Sequence, residues 1–598
     1  MRLLRLKITD PQGFRSLQAG FEYQFRSEWD LQEEQGFAPF VCAGPNGSGK
    51  SNLLELLAAI FYHLECMYLE NLPDSFRYDE DANPGGFRSE NAIPDGFEIE
   101  YLIHPEEALK TQGHGGQAHV RITKAPGESP KWFVLNHEEQ EGAVELTIGQ
   151  TLARQLLPDF ILGYSSGENE ILSLPFFKMR FVQFDEYWQA LKQQLPYPGR
   201  PESRMVYLDS GFSQALLLCN LLFHDADSLE QFSKDVGVEA LMEFRIVLKR
   251  SVEISAEQVF EFQDASGPVF ESVFEVADAH PALFDVDFET SLETKFKVDL
   301  VKLLEADERS ADKFDPVITR LKRCATCWFD DETTDTLYLD YYVNDATKQA
   351  FSENFDFEVN RSPIALFHAL QVLLTLNLYS ASEQLKADLY QSDSLYVSET
   401  VPTLASDERI IRFKDFWLKK KDVAEPVLLK SLSDGEHQLL HTLGLCLLFK
   451  NTNSLFLLDE PETHFNPDWR ANFATRLHQS FDGASGQEML VTTHTPFLIS
   501  DSRPEKVLVF SKTDGMVSVS HPEYNTLGAS INKITMATFG KRETIGAHAQ
   551  GILESMRKRF EQGEDGEQLI AEINRQLGDS VEKAMLIKTI LDNMETQG

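Results

Sequence analysis

The segment from Gly44 to Ser51, "GPNGSGKS", contains residues whose types and spacing suit phosphate binding. It fits the pattern G-x-x-x-x-G-K-[ST], follows the apolar strand "PFVCA" and precedes a stretch that predicts an amphipathic helix. Phosphate oxygens need several backbone N–H donors that converge on one point. Glycines permit that backbone path, and the helix N-terminus adds its dipole. In this pattern Lys50 reaches the β- and γ-phosphates and Ser51 binds Mg²⁺. The predicted nucleotide-binding residues are Gly44, Asn46, Gly47, Gly49, Lys50, Ser51 and Asn52.

Two apolar strands much later in the chain end in the side chains that such a site needs. "SLFLLDEPETHF" (454–465) runs through four apolar residues into Asp459 and Glu460, and "EMLVTTHTPFLIS" (488–500) is a second strand, ending at His494. Buried parallel strands read as continuous apolar runs, and their C-terminal ends carry ligand chemistry in α/β sheets. We expect Asp459 to hold Mg²⁺ with Ser51, and Glu460 to polarise the attacking water. His494 would contact the γ-phosphate. Together, Lys50, Glu460 and His494 are the predicted catalytic residues.

Four motifs, "GPNGSGKSN", "LSDGEHQ", "LLDEPETHFNPDW" and "TTHTP", resemble those of ABC-type ATPase heads of the SMC, RecF and OLD group, often filed under AAA ATPases. The opening "RLLRLKITDPQGFRSL" is similar to the first strands of that group. The resemblance covers roughly 1–180 and 400–520, about half of the chain. It implies an α/β P-loop fold of ABC type, with a mixed sheet and an antiparallel β-subdomain, that hydrolyses ATP with Mg²⁺ and dimerises around nucleotide.

Two loops, "YSSGENE" (164–170) and "LSDGEHQ" (432–438), resemble the loop with which one subunit of such a dimer caps the nucleotide held by the other. In that architecture the capping loop starts a helix that leads straight into the Mg²⁺-binding strand, as the second loop does. The first loop precedes "FFKMRFVQFDE" (176–186), which we interpret as a strand that also ends in Asp-Glu. Arg180 and Gln183 interrupt that strand, and no histidine-ended strand follows closely. We therefore assign the capping role, in trans, to Ser433 and Gly435.

The first loop sits where the family has a strand and loop that reach Mg²⁺ and the γ-phosphate, usually through a glutamine. The candidate β-strands "FEIEYLI", "HVRITK" and "KWFVLN" precede it. The loop offers Ser165, Ser166 and Asn169 but no glutamine, and Gln183 is the nearest alternative. The other interpretation is a plain strand-to-helix turn in which Ser165 or Ser166 caps the helix.

Nearly 400 residues separate the P-loop from the capping loop, as in heads split by an insertion. We predict an N-terminal ATPase lobe (1–210), an acidic insertion (211–395), a C-terminal ATPase lobe (396–520) and a helical tail (521–598). The mixed α+β insertion has helical stretches such as 227–251 and 363–391 and no sustained heptads. In this it is similar to compact ATPases of bacterial anti-phage and restriction-associated operons, including the Septu-type and PARIS-type ATPases. After His494 the sequence has no carboxylate cluster of the TOPRIM nuclease kind, so a nuclease partner would be a separate chain.

The net charge of −40 bears on partners. DNA binding depends on Lys and Arg that neutralise phosphates, so any DNA contact must be local or be made by a partner. The acidic run within 251–360 is a solvated face or a docking surface for a basic partner, and its regular Phe content predicts that it folds. The basic segment "RIIRFKDFWLKKK" (409–421) is an edge strand protected by lysines or a DNA or partner contact.

Cysteine usage and hydropathy favour a cytoplasmic protein. Six cysteines are too few for a disulfide framework, and the pair Cys324 and Cys327 in "CATC" is interpreted as reduced structural thiols, with a zinc hook as the alternative. The longest apolar stretch, 364–379, is shorter than a membrane span and predicts a buried helix. No presequence pattern opens the chain, and no membrane partner is expected.

The sequence thus predicts an ATPase that forms a homodimer or a higher even oligomer. ATP binding and hydrolysis would gate a separate effector chain, a nuclease of the HNH or another type, in bacterial anti-phage or restriction-type defence. One alternative is a RecF-like DNA-repair ATPase that acts on DNA directly. Another is a nucleotide-gated scaffold with little hydrolysis.

Overall fold

A computed structural model describes residues 1–33, 36–105, 111–138, 142–146, 149–166, 170–195, 197, 199–263, 269–285, 296–305, 316–355, 363–393, 401, 404–483, 486–540 and 545–597. Its strands are β1 (Arg2–Ile8), β2 (Glu22–Gln24), β3 (Phe40–Ala43), β4 (Phe97–Ile103), β5 (Ala118–Lys124), β6 (Lys131–Val134), β7 (Val144–Leu146), β8 (Ile161–Ser165), β9 (Met205–Tyr207), β10 (Val238–Lys249), β11 (Ser251–Ile254), β12 (Leu283–Asp285), β13 (Phe296–Asp299), β14 (Cys327–Asp331), β15 (Thr336–Tyr342), β16 (Ile411–Lys420), β17 (Val427–Leu428), β18 (Leu455–Asp459), β19 (Glu488–Thr492), β20 (Val507–Thr513) and β21 (Met516–Ser520).

The helices are α1 (Glu28–Glu33), α2 (Lys50–Cys66), α3 (Gln150–Leu156), α4 (Leu174–Lys192), α5 (Ser210–Phe223), α6 (Ala256–Val259), α7 (Val273–Ala279), α8 (Leu300–Glu305), α9 (Val317–Cys324), α10 (Asp345–Phe355), α11 (Ile364–Thr375), α12 (Glu383–Gln391), α13 (Asp434–Phe449), α14 (Pro467–Ser480), α15 (Pro496–Ser500), α16 (Ile531–Thr538), α17 (Ala547–Glu561), α18 (Gly566–Gln576) and α19 (Val581–Gln597).

The central sheet has seven strands in the order β21-β20-β3-β19-β18-β8-β9. All neighbours are parallel except the edge hairpin β20–β21. Every residue of β3, β18 and β19 is buried, which explains their continuous apolar sequences. Because β3, β8, β18 and β19 are parallel, their C-terminal ends meet at one edge of the sheet.

A second, antiparallel sheet has the order β2-β1-β4-β5-β6-β7, and the predicted strands 97–103, 119–124 and 131–136 fall within it. Helix α2 lies between the two sheets, since Leu53, Leu54 and Leu57 share one buried core with Ile99 of this sheet and Leu457 of the central one. It is therefore buried on most of its surface rather than on one amphipathic face. The expected α/β P-loop fold with an antiparallel β-subdomain is confirmed.

Strands of the predicted insertion form a three-stranded sheet, β11-β13-β12, and join two later strands in a five-stranded sheet, β14-β15-β10-β16-β17. The predicted helical stretch 227–251 is wrong: a single π-helical turn at Phe232–Val236 leads into the long strand β10. The edge-strand interpretation of 409–421 holds for part of β16. This strand pairs along its length with β10, but among the described residues its other side pairs only at Trp417 and Leu418, with β17. The predicted boundary at 395/396 separates β10 from β16, two strands of this one sheet.

The interpretation of 176–186 as a strand is wrong as well, since these residues lie inside α4. Gln183, the suggested glutamine, is buried there. Its amide donates to the Met205 carbonyl (3.2 Å) and accepts from Gln371 (3.3 Å). The predicted helix at 364–379 is confirmed as the buried helix α11 and the turn that follows it.

The C-terminal region is helical, as predicted, and α17, α18 and α19 bury a small core of their own that includes Leu569, Ile573 and Ile590. All six cysteines are free: Cys324 ends α9 in a buried position, whereas Cys327 begins β14 and is exposed. Among the described residues, no single helix is long and apolar enough to cross a bilayer. Two helical segments bent by 110° to each other, Ile364–Leu378 and Glu383–Gln391, reach the length and apolar composition of a membrane span when they are taken together, and only these two criteria are met.

Candidate functional site

The P-loop connects β3 to α2 through three left-handed glycines, Gly44 (φ 143°), Gly47 (φ 73°) and Gly49 (φ 101°). At Gly44 a side chain is also excluded by space, because a Cβ would lie 2.4 Å from the Phe510 carbonyl oxygen. The Lys50 ammonium donates to the carbonyls of Gly44 (3.1 Å) and Pro45 (3.0 Å), so the loop closes over its own lysine. Phosphate oxygens are better acceptors for this cation than carbonyls, since both partners are then charged.

Two other predicted residues lie around this loop. Asn46 is exposed at its tip, beside Gly47. Asn52 lies in the first turn of α2, where its side-chain oxygen accepts a hydrogen bond from Ser16 (2.7 Å). That bond ties the P-loop helix to the turn that follows β1.

The two predicted metal ligands meet at the end of β18. Ser51 Oγ donates to Asp459 Oδ1 at 2.9 Å, and Thr492 Oγ1 at the end of β19 donates to the same oxygen. Asp459 is fully buried, which raises the pKa of its carboxyl, whereas these two hydroxyls act in the opposite direction. Burial also lowers the pKa of Lys50, against the attraction of the Glu460 and Asp459 carboxylates.

These residues fit a magnesium ion. Mg²⁺ prefers oxygen ligands and commonly takes one or two from the protein, leaving its other positions to phosphates and water. Ser51 and Asp459 supply two adjacent oxygens. A cation beside them would compensate the negative charge of the buried Asp459 carboxylate.

Glu460 and His494, the predicted catalytic pair, are joined by a 2.8 Å contact between Glu460 Oε1 and His494 Nε2. Each side chain is about one-third exposed, so the pair opens to solvent. The hydrogen bond from His494 lowers the pKa of Glu460, which favours the ionised form. Glu460 has a left-handed backbone (φ 51°), and its N–H donates to Thr492 Oγ1 (3.0 Å). This turn directs Glu460 away from the line of β18, beside the histidine.

The first loop also lies at this edge of the sheet. Ser165 ends β8 directly opposite Asp459 in the parallel register, and the Ser166 N–H donates to the Asp459 carbonyl (3.1 Å). Ser166 Oγ donates to Thr463 Oγ1 (2.9 Å), whereas the buried Ser165 hydroxyl has no partner among the described residues. Asn169, also predicted here, lies outside the described residues. The helix-capping alternative is wrong, because α4 begins at Leu174, well after both serines.

The predicted capping loop begins α13. Ser433 is exposed and is the N-cap residue: its hydroxyl accepts from the Glu436 N–H, and Glu436 bonds back to the Ser433 N–H. Gly435 is buried in the first turn, where a Cβ would lie 2.7 Å from the His464 carbonyl oxygen. The turn after Glu460 therefore packs against this glycine.

Sequence reasoning missed the hydroxyls that hold the strand ends together. Thr492 bridges Asp459 and the Glu460 backbone, and Thr493 donates to Glu462. Glu462 is buried between Thr493 and Thr495, the two neighbours of His494. The sequence indicates these contacts only through the three threonines of "TTHTP", and it does not show which carboxylate each hydroxyl binds.

Comparison with known proteins identifies part of this arrangement. A family described as "AAA domain, putative AbiEii toxin, Type IV TA system" matches residues 330–500, less than a third of the chain, which include the capping loop, Asp459, Glu460 and His494 but not the P-loop. No curated protein matches.

Several solved structures show weak similarity. They include an SMC head bound to the C-terminal winged-helix domain of ScpA (11% identity, TM-score 0.29, covering 87% of this chain and 98% of that one). A Pyrococcus furiosus Smc head with an extended coiled coil, bound to the C-terminal domain of ScpA, has 13% identity and a TM-score of 0.28, and the match covers 93% of this chain and 99% of that one. The Thermotoga maritima SMC head has 12% identity and a TM-score of 0.27, and the match covers 88% of this chain and 100% of that one. TM-scores this low support no subclass or partner. What the family match does show is an AAA-type ATPase domain within residues 330–500.

Proposed function

We propose that this chain is a Mg²⁺-dependent ATPase. The proposal rests on one observation: the Ser51–Asp459 contact (2.9 Å) and the Glu460–His494 contact (2.8 Å) lie at the sheet edge where the P-loop begins. A phosphate loop, a pair of oxygen ligands and an ionised carboxylate are the parts that ATP hydrolysis requires. The AAA-type match supports the same activity.

Each residue then has a defined task. Lys50 exchanges its two carbonyl partners for phosphate oxygens of ATP. Glu460 accepts the proton of the attacking water as the water oxygen bonds to the γ-phosphorus and the bond to the β-phosphate oxygen breaks, which gives ADP and phosphate. His494 keeps Glu460 ionised and oriented. A Mg²⁺ ion held by Ser51 and Asp459 would neutralise charge on the phosphates.

The proposal includes a dimer. The partner's Ser433 and Gly435 would cap each nucleotide, so two copies would enclose two ATP molecules. The exposure of Ser433 supports this, because its hydroxyl and the first turn of α13 are accessible to another molecule. Gly435 is packed against its own chain, so it would contribute through its backbone N–H.

We further propose that opening and closing of this dimer gates a separate effector chain, most simply a nuclease of the HNH or another type, in bacterial defence in the cytoplasm. The matched family's description names a putative toxin of a toxin–antitoxin system, which is compatible with a role in defence. A nuclease gene adjacent to this one would strengthen the proposal.

The test measures ATP turnover and oligomeric state together. Lys50→Ala should abolish ATP binding. Glu460→Gln should bind ATP but lower turnover by about 10²- to 10⁴-fold, the usual contribution of a general base, and accumulate as a closed dimer in light scattering. Glu523→Gln, at an exposed carboxylate outside the site, is the matched control.

Wild-type turnover in Glu460→Gln would show that the base is assigned wrongly. DNA-stimulated turnover by the isolated chain, with strong salt dependence, would favour direct action on DNA instead.

A further inference from the structure

A cavity of about 270 Å³ lies beside helix α2 and contains no residue of the P-loop. Its walls come from the outer side of α2, the segment 76–93, the first turns of α4 and the end of α12. None of the residues assigned above to ATP or Mg²⁺ lines it. The cavity is therefore a second concave site, separate from the nucleotide site.

Lys178 of α4 is the most deeply buried cation in this cavity. It is only 7% exposed, and its ammonium donates to the Tyr390 carbonyl (3.0 Å). Among the described residues, no carboxylate oxygen lies within 4.0 Å of this nitrogen. The Asp393 carboxylate, which lines the same cavity, attracts this ammonium from a greater distance. An ammonium has three donors, and a buried cation is unfavourable unless it loses its proton or gains a close anion. Burial lowers the pKa of Lys178 to about 8, so the cation still predominates at neutral pH.

The charges around the cavity leave room for one negative charge. Arg15 is paired with Glu55 on α2 (2.9 Å), and His63 is held neutral because burial lowers its pKa to about 4. The charged lining residues are the cations Arg15, Arg88 and Lys178 and the carboxylates Glu55 and Asp393. One positive charge remains after pairing, which matches a monoanion better than a phosphate dianion.

The remaining walls are aromatic. Phe76 and Phe87 stack with their ring centroids 5.2 Å apart, and Tyr390 meets Phe76 edge-on at 4.8 Å. Tyr62 also lines the cavity with its ring, whereas its hydroxyl is buried beside the thiol of Cys66. Such walls favour a planar apolar body.

We propose that this cavity binds a small aromatic monocarboxylate, whose carboxylate pairs with the Lys178 ammonium and whose ring packs among Phe76, Phe87 and Tyr390. The carboxylate would supply the close counter-charge that the described residues do not place within 4.0 Å of Lys178, and the ring fills the aromatic part of the cleft. Because α2 carries Lys50 and Ser51 at its start, the bound molecule would contact the helix of the nucleotide site without entering that site.

The test uses calorimetric titration of the full chain with three acids, benzoate, indole-3-acetate and 2-naphthoate, and with their uncharged amides. At least one acid should bind wild-type protein at least tenfold more tightly than its amide, and saturating Mg²⁺–ATP should leave that affinity unchanged. Lys178→Met should lose the preference for the acid over the amide, whereas Lys512→Met, at an exposed lysine elsewhere, should keep it.

Three results would overturn the proposal. They are the absence of acid-dependent binding at millimolar concentration for all three pairs, an unchanged preference in Lys178→Met, and displacement of the acid by ATP. The last result would make the cavity a part of the nucleotide site. The acid-against-amide comparison needs only wild-type protein, so the test stands if Lys178→Met does not fold.

Discussion

Glu462 should make the stability of the nucleotide-free protein depend on pH, and Glu462→Gln should remove that dependence. The side chain is 2% exposed. One carboxylate oxygen accepts from Thr493 and from Thr495 (3.3 Å), and the other is buried with no partner among the described residues. Burial, with a smaller contribution from the charge of Glu460, raises the pKa of Glu462 to about 7 from its usual 4.5.

The sign and size follow from these two pKa values. Because the folded-state pKa lies above the unfolded one, folding favours the protonated acid. The stabilisation is complete below about pH 4.5 and is lost as the pH rises through about 7. The interval of about 2.5 pKa units corresponds to at most about 3.5 kcal/mol, since one unit is worth about 1.4 kcal/mol. Glutamine is neutral at every pH, so any cost of burying its amide is the same throughout.

The assay is thermal unfolding of the wild-type protein and of Glu462→Gln at several pH values from 5 to 8.5. The melting temperature of the variant should rise relative to wild type by a few degrees across this range. Glu523→Gln, which replaces an exposed carboxylate, should follow the wild type throughout. A constant difference between Glu462→Gln and wild type would refute the reasoning, because it would mean that Glu462 is already ionised at pH 5.

Three further variants test the site. Gly435→Ala places a Cβ 2.7 Å from the His464 carbonyl oxygen and should cost about 1–3 kcal/mol, so an unchanged melting temperature would contradict the packing. Thr492→Val keeps the side-chain shape but removes both bridging hydrogen bonds, and the Mg²⁺ concentration for half-maximal turnover should rise about 10- to 100-fold; an unchanged value would exclude a positioning role. Ser165→Ala combined with Ser166→Ala should lower ATP turnover about tenfold or more if the loop takes part in hydrolysis, as loss of a group that orients ligands does. Unchanged turnover would make it an ordinary turn.

The parts of the fold that could be predicted are those in which local sequence and tertiary structure agree. The P-loop follows a buried strand and begins a helix, so its glycines and Lys50 could be assigned from spacing alone. Likewise, Asp459 ends an apolar run that forms a buried strand. The relative placement of Ser165 and Asp459 was expected only from the family resemblance, and the parallel register of β8 and β18 places them opposite each other.

Two segments were predicted with the wrong secondary structure for an identifiable reason. The residues 176–186 are apolar and aromatic with few breaks, and such a run fits a buried strand as well as a helix that is covered on most sides, which α4 is. Residues 238–249 alternate poorly, yet they form β10 because β15 and β16 pair with both of its edges. The contacts of Glu462 and Thr492 could not be predicted, since they depend on which strands lie side by side.

The left-handed backbone of Glu460 sets stability against activity at a single residue. A residue other than glycine in this conformation costs about 1 kcal/mol or more, and the bonds that the Glu460 backbone makes with Thr492 and Thr463 hold it there. Glycine would relieve that cost and remove the carboxylate. If Glu460 is the base that we propose, this turn exchanges some stability for the carboxylate that hydrolysis needs.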